Sequence, residues 1–368
     1  MINEAAIKAY LLNTFKDIID VDIRKLGSGV QGSGFLIEMR TSAGNRSYVI
    51  KALIPEGLGH DYPSDRASVF LLDLDEYGNL PKHVKAVDVL SEMSDGSVKS
   101  VGGGKEYYLL MEKAEGEHYF SDLAEFSKKD YLDENDINKI RAMTSYLAEI
   151  HAIKKDSKTL YWRKLRDTVG HGECLMGVFD TYPDGTMTYQ EMADIIKKSV
   201  DWYARLKPGY ERLSQIHGDF HPGNIWFREG RSLDAGHSIT PGPEFQTQID
   251  FILLDRSRGP WGEPADDITA LAINYIFFSV ENFGDVRGAY LEGLHLFFDE
   301  YITASGDTKI TEVVAPFFAF RGAVVANPVF YPGLTSDQRK LIFNFVHNVL
   351  DDDRFRIDRV NDYLQSRI

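Results

Sequence analysis

The sequence predicts an α+β chain in two lobes: a small N-terminal lobe on a five-stranded antiparallel sheet, and a larger helical C-terminal lobe. Two observations carry this. From Val21 to Glu112, short runs of branched residues alternate with glycines and turn formers, the pattern of strands. After Glu112, apolar residues recur at helical spacing and strand-like pieces shrink to the flanks of two polar loops.

The elements follow in order. Residues 3–19 have helical spacing in Ile7, Leu11, Phe15 and Ile18. VDIRKLGSG, GFLIEMR and RSYVIKALI read as three antiparallel strands, the last two joined by a turn at Ser42 to Asn45. A helix is expected after Pro63, because proline suits a first helical turn. Val84 to Glu92 and Glu106 to Glu112 complete the sheet, joined by a glycine-rich turn at Gly102 to Gly104. Asp136 to Ile153 is a helix, and Thr188 with Glu191 has capping-box spacing for another. Between them, LYWRKLRDTVGHGECLMGVFDTYPDG shows no clear period, and 169–177 reads either as a substrate loop or as a plain surface loop. Helices run from Asp266 to the end. The expected division is 1–112 for the N-terminal lobe, 113–118 for a hinge and 119–368 for the helical lobe.

The bulk numbers narrow the function. The 368 residues are 43% hydrophobic and 26% charged, enough to bury a sizeable core. The formal net charge of −15 repels a polyanion, which argues against nucleic acid as a partner and permits a cationic one. A single cysteine, Cys174, allows no internal disulfide and suits a reducing cytoplasm. The N-terminal fifteen residues show no secretory pattern. The most apolar stretch, ITALAINYIFFSV, is too short to span a membrane and is flanked by Asp267 and Glu281, so no membrane partner is expected.

Four pieces, in a fixed order, have chemistry in common. Gly27, Gly29 and Gly32 form a GxGxxG between two predicted strands, where missing side chains let backbone amides approach phosphate oxygens. A hairpin needs glycines too, and a dinucleotide-binding loop would require a helix directly afterwards, where GFLIEMR reads as a strand. Lys51 closes the third strand; buried there it demands anionic partners, and at an edge it would simply face water. Asp219 and Asn224, in HGDFHPGN, have the spacing of the protein-kinase catalytic loop: an aspartate to orient a hydroxyl, and an asparagine oxygen for magnesium. All of these are also turn residues. Asp250, in QIDF, matches the Asp-Phe of the magnesium-binding motif of kinases, though such an aspartate is also a common turn residue or helix cap.

At these residues the chain resembles the aminoglycoside phosphotransferase and choline kinase superfamily, whose fold is protein-kinase-like. His217-Gly218-Asp219 is similar to that family's His-Gly-Asp, and Ile249-Asp250-Phe251 to its Ile-Asp-Phe. Leu147 to Ile153 resembles the helix that precedes the catalytic loop, and Leu110 to Gly116 the hinge. The resemblance implies ATP and magnesium as cofactors, a small-molecule hydroxyl as acceptor, adenine held by the Glu112 carbonyl and the Ala114 amide, and Asp267 as a buttress behind the catalytic loop. Asp219 would position and deprotonate the hydroxyl, Asn224 and Asp250 hold the metal, and Lys51 hold the α- and β-phosphates. The carboxylate pairing with Lys51 stays open among Asp65, Asp73 and Glu76. A protein kinase and a catalytically silent nucleotide-binding module are the alternatives. Ile252 departs from the kinase Asp-Phe-Gly, and residues 228–246 separate the two loops by more than usual.

Overall fold

The computed structural model describes residues 2–29, 31–54, 63–100, 106–228, 249–256 and 258–366. The glycine-rich turn expected at Gly102 to Gly104, most of the long 228–246 segment and Val30 of the glycine loop lie outside them.

The N-terminal lobe is a six-stranded antiparallel sheet. Its strands are β1 (Ile18–Ser28), β2 (Gly32–Thr41), β3 (Gly44–Leu53), β4 (Ala86–Glu92), β5 (Val98–Ser100) and β6 (Glu106–Glu112), in the order β1-β2-β3-β6-β4-β5. The sixth strand is β5, which the sequence did not separate from the turn. Met93 N–H donates to the Ser97 carbonyl over 2.8 Å, with Gly96 in the left-handed region, so a tight hairpin folds β5 back onto β4. The first helix, α1, is shorter than the expected 3–19: it spans Glu4–Thr14. Branched Ile18 and Ile19 go to β1 instead, where β-branched side chains fit a pleated surface. Ile7 and Leu11 bury the inner face of α1 against the sheet. The helix after the third strand, α2 (Pro63–Glu76), begins at the proline.

The helical lobe comprises α3 (Phe120–Phe126), α4 (Glu134–Ala152), α5 (Lys158–Gly170), α6 (Leu175–Asp180), α7 (Tyr189–Leu206), α8 (Ala265–Phe283), α9 (Gly288–Ser305), α10 (Ala315–Val325), α11 (Ser336–Asp351) and α12 (Val360–Tyr363). Short strands β7 (Glu117–His118), β8 (Ser214–Gln215), β9 (Ile225–Arg228), β10 (Asp250–Leu253) and β11 (Trp261–Gly262) thread through it. The stretch without clear period is helical in α5 and α6, because both are short and carry their apolar residues onto one shared core. Thr188 and Glu191 do form the predicted capping box at α7. No described helix is long and apolar enough to cross a membrane. Helix α8, which contains the apolar stretch, is buried along most of its length in the core of this lobe.

Two seams hold the lobes in register. Val84 N–H donates to the Leu253 carbonyl over 3.3 Å, and Leu253 N–H to the Lys82 carbonyl over 3.2 Å, so the chain after α2 lies along β10. Arg256, fully buried, donates to the carbonyls of Glu76 at the end of α2 (3.0 Å) and of Ile216 before the catalytic loop (3.1 Å). A guanidinium with several fixed donors suits a site where three backbone segments meet.

Candidate active site

The glycine loop is a hairpin end. Gly29 N–H donates to the Gly32 carbonyl over 2.9 Å. A Cβ on Gly32 would stand 2.2 Å from the Ala52 carbonyl oxygen, so β2 and β3 approach here only because position 32 has no side chain. The β2–β3 register sets Gly34 opposite Lys51, which aims the lysine across the sheet beneath this loop.

Lys51 Nζ meets Asp255 Oδ2 at 2.9 Å. Of the three candidates on α2, Asp73 is the carboxylate in electrostatic reach of Lys51, and it is fully buried. Glu76 pairs with Arg256 at 3.3 Å. Burial pushes the Asp73 carboxyl up to about 8, against the pull of Lys51, and Tyr77 Oη donates to it over 3.2 Å.

The catalytic loop is held from behind. Asp267, at the start of α8, accepts from the backbone N–H of His217 (2.8 Å) and of Gly218 (2.7 Å), and its Oδ2 lies 3.1 Å from His151 Nε2 at the end of α4. Gly218 has φ of +88°, which turns the chain so that both amides face one carboxylate. Burial lowers the pKa of His217, so its Nδ1 stays free to accept the Asp219 N–H at 3.3 Å. Asn224 Nδ2 donates to the Asp219 carbonyl over 2.9 Å, which commits the amide nitrogen and leaves its oxygen for another partner.

Asp219 lies between two arginines. Arg321 Nη1 on α10 donates to its Oδ1 over 2.6 Å, and Arg258 Nη1 stands 3.5 Å from the same oxygen. Burial alone would raise this carboxyl; the Arg258 and Arg321 guanidiniums outweigh it and hold the group far below the ordinary carboxylate range. Arg321 also donates to the Gly218 carbonyl (3.0 Å) and to Asp266 (2.7 Å), and Lys164 of α5 pairs with the same Asp266.

The structure does not bring Asp250 to this group. In the β9–β10 register Asp250 stands opposite Arg228, at the end of the hairpin remote from the catalytic loop, and its carboxylate faces Arg228 (3.4 Å) and Lys82 (3.9 Å). Asp255 takes the expected place. Leu254 N–H donates to the Asn224 carbonyl over 3.0 Å, which sets the next residue beside Asn224. At about 3.3 Å per residue, the five steps from Asp250 to Asp255 span on the order of 15 Å of extended chain. The signal was directional. The catalytic loop leads into β9, so its partner must leave β10, and the acid at the far end of the Phe251 to Leu254 run is Asp255. Arg321 carried a signal too: it is the lone charge in APFFAFRGAVV, and a charge in a buried helix requires partners. Arg258, Asp266 and Lys164 had none.

Lys51, Asp219, Asn224 and Asp255 line one cavity of about 500 Å³, with Gly29, Gly32 and Met111 on the side of the sheet. Glu112 closes β6 and Ala114 is buried just beyond it, in the segment that runs into β7. Glu173 on the turn before α6 also faces this cavity, so the 169–177 segment reaches the site rather than only the surface. Among the described residues, no cluster of three or more His, Cys, Asp or Glu forms a ready metal cage. Asn224 and Asp255 instead offer a sparse oxygen set, the kind a magnesium ion completes with phosphate and water oxygens.

Residues 79–235 match the model of a phosphotransferase enzyme family (APH). That segment holds the connection from β6 into the helical lobe and the loop of Asp219 and Asn224, and over it the chain is similar to phosphotransferase enzymes. No curated protein matches the chain. Among solved structures, an aminoglycoside phosphotransferase from Streptomyces rimosus is similar at 13% identity over 86% of this chain and 97% of its own, with a TM-score of 0.48. The ethanolamine kinase of Plasmodium vivax shares 12% over 94% of this chain and 80% of its own (TM-score 0.43). The choline kinase of Cryptosporidium parvum shares 10% over 98% and 92% (TM-score 0.46).

Proposed function

We propose that this chain transfers the γ-phosphate of ATP to a hydroxyl of a small molecule, with magnesium. The observation that supports it best is the convergence of Lys51, Asp219, Asn224 and Asp255 on one cavity beneath a glycine loop. The acceptor oxygen forms a bond to the γ-phosphorus, the bond to the β,γ-bridging oxygen breaks, ADP leaves, and the hydroxyl proton passes to Asp219. Asp219 is a weak base as the arginines hold it, which suits a transition state with little bond formation to the nucleophile: it orients the hydroxyl first and receives the proton late. Lys51 holds the α- and β-phosphates, and in doing so releases Asp255 from its direct ion pair. Asn224 Oδ1 and Asp255 hold the metal, which supplies charge neutralisation between the phosphates. Gly27, Gly29 and Gly32 cover the phosphates, and the Glu112 carbonyl and Ala114 amide take adenine. A cytoplasmic setting fits the one cysteine, Cys174, which is free and buried.

Calorimetry of ATP binding with and without magnesium tests this reading. Magnesium is expected to strengthen binding to the intact chain, and Asp255→Ala to remove that gain. Should binding ignore magnesium, and should no hydroxyl compound raise ADP production, the chain is a silent nucleotide-binding module.

A further inference from the structure

Beyond Asp219 the cavity wall passes to the helical lobe, and its polar atoms there are unevenly satisfied. The Arg258 side chain is 9% exposed. Among the described residues, its Nε and Nη1 are buried without a hydrogen-bond acceptor, the Asp219 oxygen at 3.5 Å being an ion-pair contact only. Its guanidinium lies 5.1 Å from the centre of the Phe320 ring, which fixes it over α10. Arg321 Nε, close by, likewise has no acceptor. Asn274 on α8 presents the opposite need. Its Nδ2 donates to the Ala270 carbonyl over 2.8 Å, while its buried Oδ1 has no donor among the described residues. Arg258, Arg321 and Asn274 all line the cavity, and Val178, Ile273 and Val324 supply apolar surface between them. Buried donors of a cation left unsatisfied are costly, so an arginine in this state favours a bound anion.

Glu173 is the neighbouring negative charge, within electrostatic reach of Arg258, and Asp266 is already shared by Lys164 and Arg321. The nucleotide side has its own cation in Lys51, under the glycine loop. Arg258 instead reaches toward Asp219, Phe320 and the turn before α6, where the hydroxyl must sit.

We propose that the acceptor is a hydroxy compound bearing an anionic group, which Arg258 binds, with a hydrogen-bond donor that Asn274 Oδ1 receives. This rests on the phosphotransfer reading and names the substrate class of the same site. It runs against the cationic acceptor that the net charge of −15 permits: the chain as a whole is acidic, but this wall sets the Arg258 and Arg321 guanidiniums beside Asp219 and Glu173.

The test uses the full chain loaded with magnesium and a non-hydrolysable ATP analogue, titrated with matched pairs: D-glycerate against glycerol, L-serine against ethanolamine, and glycerol 3-phosphate as the phosphate arm. ADP production with ATP is followed in parallel. Anionic members are expected to bind and react in preference to their partners. Arg258→Ala should weaken them by about tenfold or more, the worth of one charge-assisted hydrogen bond, with the affinity for Mg-ATP unchanged. Arg258→Lys, which keeps the charge, should recover part of the loss, and a thermal melt confirms that both variants fold. Preference for the carboxylates assigns a hydroxy acid; preference for glycerol 3-phosphate assigns a phosphate ester at the same anion site. If no anion binds, if ethanolamine or glycerol reacts with indifference to Arg258→Ala, or if that variant instead weakens Mg-ATP, the inference is wrong. If Mg-ATP itself fails to bind, the transfer reading has failed first.

Discussion

The two sides of the cavity treat the same residue type in opposite ways. Below the glycine loop, Asp73 and Asp255 share a single lysine, and burial wins: the Asp73 carboxyl rises to about 8. On the helical side, Asp219 faces Arg258 and Arg321, and the guanidiniums win: its carboxyl stays ionised far into acid. With both aspartates buried, the number of cations beside each decides whether burial or charge sets its state. The sheet side, with fewer cations, favours the neutral form of Asp73; the helical side, with two guanidiniums, keeps Asp219 charged.

The largest effect should come from Asp219→Asn. That variant keeps the contact to Arg321 but loses the proton acceptor, and kcat for any accepted hydroxyl should fall by about 10²–10⁴-fold with Mg-ATP affinity nearly intact. Steady-state kinetics beside calorimetry checks it; an unchanged kcat would dissolve the contrast between the two sides.

Next is the support behind the loop. Asp267→Asn leaves one oxygen where two backbone amides and His151 Nε2 converged, in a site with no exposure. We expect a loss of about 3 kcal/mol in unfolding free energy, the scale for breaking a buried charged network, measured by denaturant titration.

The pH response sharpens the comparison further. Asp73 goes from an ordinary 3.8 to about 8 on folding, so between those values the folded chain keeps a proton that the unfolded chain has released. By linkage this group makes stability fall as pH rises from about 4 to about 8, with a slope of at most about 1.4 kcal/mol per pH unit. Asp73→Asn, which mimics the protonated acid, should flatten that part of a stability–pH curve. His83 acts in the other direction: burial lowers its pKa from 6.5 to about 3, so its contribution is lost as pH falls across that range. Melting temperatures from pH 3 to 9 in the two backgrounds separate the two groups.

The smallest effect should be Asp250→Asn. It removes partly exposed pairs with Arg228 and Lys82, worth up to about 1 kcal/mol, and should leave kcat and the magnesium dependence of ATP binding unchanged. A collapse of magnesium dependence in this variant, with Asp255→Ala silent, would restore Asp250 to the site.

Much of this protein is legible in its residues. The two-lobed division, the strands around Lys51, the capping box at Thr188 and the pairing of Asp219 with Asn224 all come from spacings within one loop or one element, where local geometry leaves few choices. The sequence by itself thus determined the architecture of the sheet and helices and marked Lys51, Asp219 and Asn224 as candidates. Tertiary structure alone decided the rest. Which of two aspartates flanking Phe251 to Leu254 meets Lys51 depends on the direction in which β10 runs past β9. Which carboxylate of α2 enters electrostatic reach of Lys51 depends on the rotation of that helix against the sheet. That Arg321, more than one hundred residues after Asp219, should donate to it at 2.6 Å depends on where α10 lies against the catalytic loop. These are long-range contacts between elements whose local patterns are silent about one another, and only packing brings their charges together.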